Sequence, residues 1–288
     1  MHILSETDPA SYEIINPHGT APFLLTCEHA GVAVPESLDH LGLPPEEFTK
    51  HTACDIGTAH LTRHLSFLLD APAILGNYSR LVIDLNRPKD HVTLIVPKAE
   101  DRIVPGNAEL SEAERTARLR EIYDPYHLAV DHILDDMERR HHGKKFAMIS
   151  IHSYTQYFYN FERPWDVTFL WVQDDRIARH GVRYFQNLNY DSADNLPYDI
   201  QRLGRCSITL HGDTRRIPNV VLEVRNDHID AESGAKKWAQ MVSGMLTNYR
   251  QIDDAFARYD GPEHIFDPDE ERTYIAHLHT EAKQGRQG

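Results

Sequence analysis

Cysteine is scarce in this chain: Cys27, Cys54 and Cys206 are the only three in 288 residues. They are odd in number, widely spaced and form no C-x-x-C pair, which argues against a disulfide framework and fits a reducing cytoplasm. Long apolar runs are missing too. No stretch approaches the roughly 18 apolar residues of a membrane span. Residues 1–8 carry neither the basic segment nor the apolar core of a secretion signal. The expected location is therefore the cytoplasm. Positive charge is the third shortage, since 30 Lys and Arg stand against 44 Asp and Glu, a net charge of -14. That balance argues against a general nucleic-acid or membrane-surface role, although a local group of arginines can still hold a small anion. There is no H-E-x-x-H, no internal repeat, no low-complexity tract and no linker-like segment. One domain spanning residues 1–288 is expected, with a polar extension after about residue 261.

What the chain does contain is a series of short apolar runs alternating with amphipathic patterns. That alternation predicts an α/β fold with a mainly parallel sheet. Strands are expected at 23–27, 71–75, 81–83, 146–152, 167–172 and 219–225, with a weaker one at 208–210. Leu61, Leu65 and Leu68 or Leu69 recur at helical spacing after Asp55, giving a helix to about residue 69. A longer helix starts at Ser111, where Ser111 and Glu114 make a capping box, and runs to a stop at Gly143 with a kink at Pro125. Further helices are expected over 176–188 and 231–259, and a short, frayed one after Gly261. The stretches 88–107 and 189–205 read as long loops, which inside a folded unit are often functional. His91, His141 and His142 lie in polar stretches and read as solvated.

Three of the apolar runs end on groups that ionise or bind metals. Residues 219–225 carry Glu223 near the end of a buried strand, and a buried carboxylate needs a cation, a metal or a raised pKa. Its simplest partner is Arg225, two residues on and on the same strand face. Residues 146–152 end on His152, and 23–27 run into Glu28-His29. Open α/β sheets place ligand sites at the carboxyl ends of their strands, so His29, His152 and Glu223 can converge. Two neutral imidazoles and a carboxylate are a donor set that catalytic zinc takes. Asp55 is the natural third ligand; its alternative is to cap the helix it precedes. His29 is otherwise a satisfied loop histidine. Arg80 and Arg87 flank a short apolar run with Asp84 between them. They either hold a substrate carboxylate in bidentate fashion or form structural ion pairs with Asp84. A Cys27 nucleophile beside His29 is poor geometry for two residues at a strand–loop junction.

The runs T-C-E-H-A-G (26–31), D-I-G (55–57), Y-S-R-L-V-I-D-L-N-R-P (78–88), S-I-H-S (150–153) and V-L-E-V-R-N-D (221–227) resemble the N-formylglutamate amidohydrolase family. They occur in the family's order over roughly two-thirds of the chain. P-Y-H (125–127) and N-L-P-Y (195–198) are also similar to family features. More distantly, the layout is similar to zinc-dependent N-acetylmuramoyl-L-alanine amidases. That likeness implies His29, Asp55 and His152 as zinc ligands (another divalent metal being possible) and Glu223 as the catalytic acid/base. It also implies a three-layer α/β/α sandwich like that of zinc exopeptidases. One departure stands out: C-E-H-A-G replaces the family's S-P-H-S-G, which makes Glu28 either a partner behind a ligand or an alternative ligand. In this the chain is similar to the less characterised branch of the family.

The implied activity is hydrolysis of an N-formyl or other small N-acyl amide of an amino acid. Arg80 and Arg87, with Arg225, would bind the substrate carboxylates. His127 and His211 are candidates for oxyanion stabilisation, although His127 equally reads as a helix residue packed on a loop. A monomer or small homo-oligomer is expected, with a small anionic N-acyl amino acid as partner. Two other readings stay open: an N-acyl or muropeptide-type amidase, and a non-catalytic binding protein for an anionic metabolite.

Overall fold

The computed structural model describes residues 1–141 and 146–286. Seven strands build one sheet: β1 (Tyr12–Ile15), β2 (Phe23–Cys27), β3 (Ala73–Gly76), β4 (Ala147–Tyr154), β5 (Val167–Leu170), β6 (Ser192–Asp194) and β7 (Asn219–Arg225). Their order is β1-β3-β2-β4-β7-β5-β6. The central four, β3, β2, β4 and β7, run parallel, while β1 is antiparallel to β3 and β5 antiparallel to β7. Parallel strands covered on both faces read as unbroken apolar runs. β2, β3 and β4 fit that rule, being buried from end to end.

The main helices are α1 (Thr58–Leu69), α2 (Glu112–Arg118), α3 (Asp124–Arg140), α4 (Arg176–Asn187), α5 (Glu232–Tyr249) and α6 (Pro268–Lys283). Phe23, Leu25, Ile149 and Leu222 point from one sheet face into a core shared with α1, α4 and α5. Leu24, Met148 and Val221 point the other way, into a core shared with α3. The sheet thus lies between helical layers, the sandwich that the resemblance implies. No described helix is long and apolar enough to cross a membrane.

Several elements differ from their sequence patterns. Residues 81–83 are apolar and buried but form a turn, not a strand. Their carbonyls find side chains instead of a ladder: Asn107 Nδ2 donates to Leu81 O at 2.8 Å and Arg118 Nη1 to Val82 O at 2.9 Å. Residues 208–210 belong to a wide helical turn, with Thr209 N and Leu210 N both bonded to Cys206 O. The short edge strands β1 and β6 had too few residues to show a period. The capping box at Ser111 is present, and its helix widens over Leu119–Tyr123, where Asp124 N–H reaches back to Leu119 O just before Pro125. The stop expected at Gly143, and His142, lie outside the described residues. α5 ends at Tyr249, ten residues early, and Asp254 then turns through a positive φ of 58°. Nor is His91 solvated: it is buried, with Nε2 2.6 Å from Glu271 Oε1. His141 is half-buried against the Phe146 ring. The segment after Gly261 forms the 16-residue α6, capped by the Asp267 carboxylate.

Candidate active site

The carboxyl ends of β2, β4 and β7 meet on the α3 side of the sheet. Along β4, Met148, Ser150 and His152 share that face by strand alternation, as do Val221 and Glu223 along β7. The register sets Glu223 opposite His152. β2 delivers Glu28 and His29, both buried. Asp55 arrives just ahead of α1. It does not cap that helix; Gly57 stands at the cap with φ +83° and no side-chain bond. A Cβ on Gly57 would lie 2.1 Å from Ile229 O, so only glycine fits the turn that aims Asp55 at the sheet.

His29, Asp55 and His152 each offer a ligand atom, all within 4.8 Å of one another. The Nδ1 atoms of His29 and His152 lie 3.3 and 2.7 Å from Asp55 Oδ2. Their outer nitrogens face other acids. His29 Nε2 is 2.7 Å from Asp84 Oδ1, and His152 Nε2 is 3.1 Å from Glu28 Oε2 and 2.9 Å from Ser150 Oγ. Ser150 Oγ also donates to Glu28 at 2.8 Å. Imidazoles whose far nitrogen is held by a carboxylate are the usual arrangement around a metal, where the second partner fixes tautomer and ring orientation. Asp55 Oδ1 adds a second sign, being buried without a hydrogen bond. The residues therefore fit a divalent cation. Glu28 lies behind His152, on the opposite ring edge from Asp55.

The electrostatics follow from this crowding of acids. Burial opposes charge on Asp55, but His29 and His152 outweigh it and hold its pKa well below the ordinary value. Burial likewise opposes charge on Asp84, and Arg80 and His29 hold it down. Burial disfavours a charged His152 as well, yet its bonds to Asp55 and Glu28 push it up to about 10. The two acids thus hold positive charge at that ring, a place a divalent cation competes for with a proton. Glu223 behaves differently. It is half-buried, and burial raises its pKa, with Asp55 adding to the rise while His152, Arg163 and Arg80 oppose it. No described side chain hydrogen-bonds or ion-pairs with its carboxylate.

A cavity of about 350 Å³ opens over these groups and is lined by His29, Asp55, His152 and Glu223. The expected arginines divide. Arg80 lines the cavity but is engaged, 2.9 Å from Asp84 Oδ2 and 3.5 Å from Asp55 Oδ1. Arg87 lines it half-buried, and its guanidinium has no hydrogen bond or ion pair among the described residues. Arg225 lies outside it, drawn off by Asp227 at 2.7 Å and Asp166 at 3.4 Å, and it leaves Glu223 unpaired. His127 and His211 also lie outside. They stack with centroids 5.1 Å apart and are joined Nδ1 to Nε2 at 2.8 Å, and His211 Nδ1 bonds Asp131 at 2.9 Å. Cys27 faces the α1 side of β2, where burial pushes its thiol pKa up and keeps it neutral.

Two contributors had no usable signal in the sequence. Arg163 is buried against the cavity, yet it sits in a short ribbon segment with no periodic pattern. α6 supplies Ile275, Leu278 and His279 to the cavity wall from a segment that reads only as polar.

Residues 21–229 match the family model described as N-formylglutamate amidohydrolase. The chain is also similar to the solved structure of gene product Atu2144 from Agrobacterium tumefaciens, at 29% identity and a TM-score of 0.81, over 88% of this chain and 100% of that one. It is similar in fold to N-formylglutamate amidohydrolase from Ralstonia eutropha JMP134, at 17% identity and a TM-score of 0.67, over 84% of this chain and 98% of that one. No curated protein matches it.

Proposed function

The chain belongs to the N-formylglutamate amidohydrolase family, and from that premise we propose that it is a zinc-dependent hydrolase of a small acidic N-acyl amino acid, with N-formylglutamate the first candidate. The observation that carries this reading is the convergence of His29, Asp55 and His152 beside an unpaired Glu223 in one cavity. His29, Asp55 and His152 would hold the ion, and two imidazoles with one carboxylate suit zinc. Bound there, a zinc ion supplies Lewis acidity toward water and the amide carbonyl.

The chain's own residues account for the rest. Glu223 takes a proton from the attacking water as the C–O bond forms, then delivers it to the amide nitrogen as the C–N bond breaks, leaving formate and the free amine. Burial keeps its pKa above that of an ordinary glutamate, so the same group can accept and return a proton. Glu28 and Asp84 hold the two imidazoles in orientation through their outer nitrogens. Arg87, uncommitted and facing the cavity, supplies a fork for a substrate carboxylate.

The test is formate or acetate release over a panel of N-acyl amino acids, with metal content measured on the same preparation. Release with about one divalent ion per chain is expected. Protein that holds no divalent ion even after reconstitution would remove the mechanism.

A further inference from the structure

Arg163 is 1% exposed and lines the cavity. A buried guanidinium ordinarily has a carboxylate against it, because an uncompensated charge away from water is costly. No described carboxylate lies within ion-pair distance of Arg163. Its Nη1 donates to Thr155 O at 3.2 Å and its Nη2 to the Tyr198 hydroxyl, while Nε is buried without a partner. Three of its five N–H groups are therefore unused. The plane is held by rings: the guanidinium carbon lies 4.9 Å from the Phe158 centroid, 5.1 Å from Tyr198 and 5.5 Å from Tyr154. Such stacking engages the faces of the guanidinium and leaves part of its edge without a partner among the described residues.

Arg118 provides the contrast within this chain. It is equally buried and equally without a carboxylate, but its terminal nitrogens reach three oxygens, on Val82, Asn107 and Gly106, and it does not line the cavity. Arg118 braces a turn, whereas Arg163 faces the space where substrate would lie.

Position decides what Arg163 would read. Its charge reaches Glu223 strongly enough to favour the ionised carboxylate, as does that of Arg80. Arg80 is already paired with Asp84 and Asp55, whereas Arg163 has no acidic partner among the described residues and lines the same cavity as Glu223. In an N-acyl α-amino acid, the α-carboxylate is separated from the scissile nitrogen by a single carbon. A nitrogen that receives its proton from Glu223 therefore places that carboxylate near Glu223 too. We infer that Arg163 reads the carboxylate adjacent to the scissile amide and so fixes specificity for N-acyl α-amino acids, leaving Arg87 for a more distant acid. This rests on Glu223 serving as the base of an amidohydrolase.

The test uses product-side probes and needs no turnover. Zinc-loaded wild type, Arg163→Met and Arg163→Lys are titrated calorimetrically with glutamate, isoglutamine (the α-amide) and glutamine (the γ-amide). Wild type should bind glutamate about 10-fold or more tightly than isoglutamine, the loss expected for one charge-assisted pair. Arg163→Met should abolish that preference while keeping the preference over glutamine, and Arg163→Lys should restore part of it. Equal weakening of all three probes by Arg163→Met would assign the residue to structure alone and overturn the inference. Loss of only the glutamine preference would overturn it as well. Should Arg163→Met fail to fold, absence of an isoglutamine penalty in wild type, or an unchanged penalty in Arg163→Lys, would overturn it. Absence of hydrolysis of any N-acyl amino acid beside an intact isoglutamine penalty would instead remove the hydrolase reading and leave the carboxylate subsite standing.

Discussion

Glu223 stands directly opposite His152 in the β4–β7 ladder, yet the two side chains make no hydrogen bond. Both ring nitrogens of His152 are already taken, by Asp55 on one edge and by Glu28 and Ser150 on the other. The register therefore puts a carboxylate next to the candidate metal-binding group while leaving it unengaged. That is the position the proposed general base requires.

Replacing Glu223 by Gln should lower kcat by about 100-fold or more, the range for a lost general acid/base, with metal content unchanged. His152→Ala should instead lose the metal. Formate-release kinetics alongside metal analysis check both, and near-full turnover in Glu223→Gln would reject the assigned base.

Glu28 bonds the outer nitrogen of His152, so Glu28→Gln should weaken metal binding about 10- to 100-fold, the usual cost of a lost outer partner. Turnover at saturating metal should recover much of its wild-type value. Competition with a chelator measures the first effect. A variant that cannot be rescued by added metal would point to Glu28 as a direct ligand.

The base must be ionised to accept a proton, and burial raises the pKa of Glu223. Activity should therefore fall as pH drops through the Glu223 pKa, giving kcat/KM an acid limb. Arg163 opposes the rise, so Arg163→Met should move the limb to higher pH still. A limb that stays in place would show that the Arg163 charge does not reach Glu223.

Asp213 tests the pH dependence of folding away from the site. Burial raises its pKa to about 6 despite a 2.8 Å bond from Asn219 Nδ2. A carboxyl whose folded pKa lies above its unfolded value binds more protons when folded, so its contribution to stability falls as pH climbs from about 4 to 6. Asp213→Asn removes that loss. The difference in stability between variant and wild type should shift by about 2 kcal/mol in favour of the variant between pH 4 and 7. Denaturant unfolding at both pH values measures it, and a difference independent of pH would contradict it.

Gly57→Ala should destabilise the fold by about 2 kcal/mol or more, through a positive φ and a clash with Ile229 O. Because that turn aims Asp55, metal affinity should fall with it. Denaturant midpoints and metal titration would show the pair of effects, and a stable variant with weakened metal binding would confine the role of Gly57 to positioning.

The sequence by itself marked the sheet and three of the groups at its strand ends, because strands buried on both faces must be apolar and polar groups at their ends stand out. His29, His152 and Glu223 were legible for that reason. Residues 81–83 misled because burial, which the sequence shows, is not pairing. Asn107 and Arg118 satisfy that turn's carbonyls from 26 and 36 residues away. Asp55 was open between cap and ligand, and only the structure, with Gly57 at the cap position, removed the cap reading. Arg225 had an equally plausible claim to Glu223, and only the fold showed Asp166 and Asp227 taking it. Arg163 and α6 were not legible as parts of the site, since their meaning lies in what they face. Local pattern determines which residues are buried and which elements they form; the partner of each charge is a contact between distant segments, and only the tertiary structure decided that.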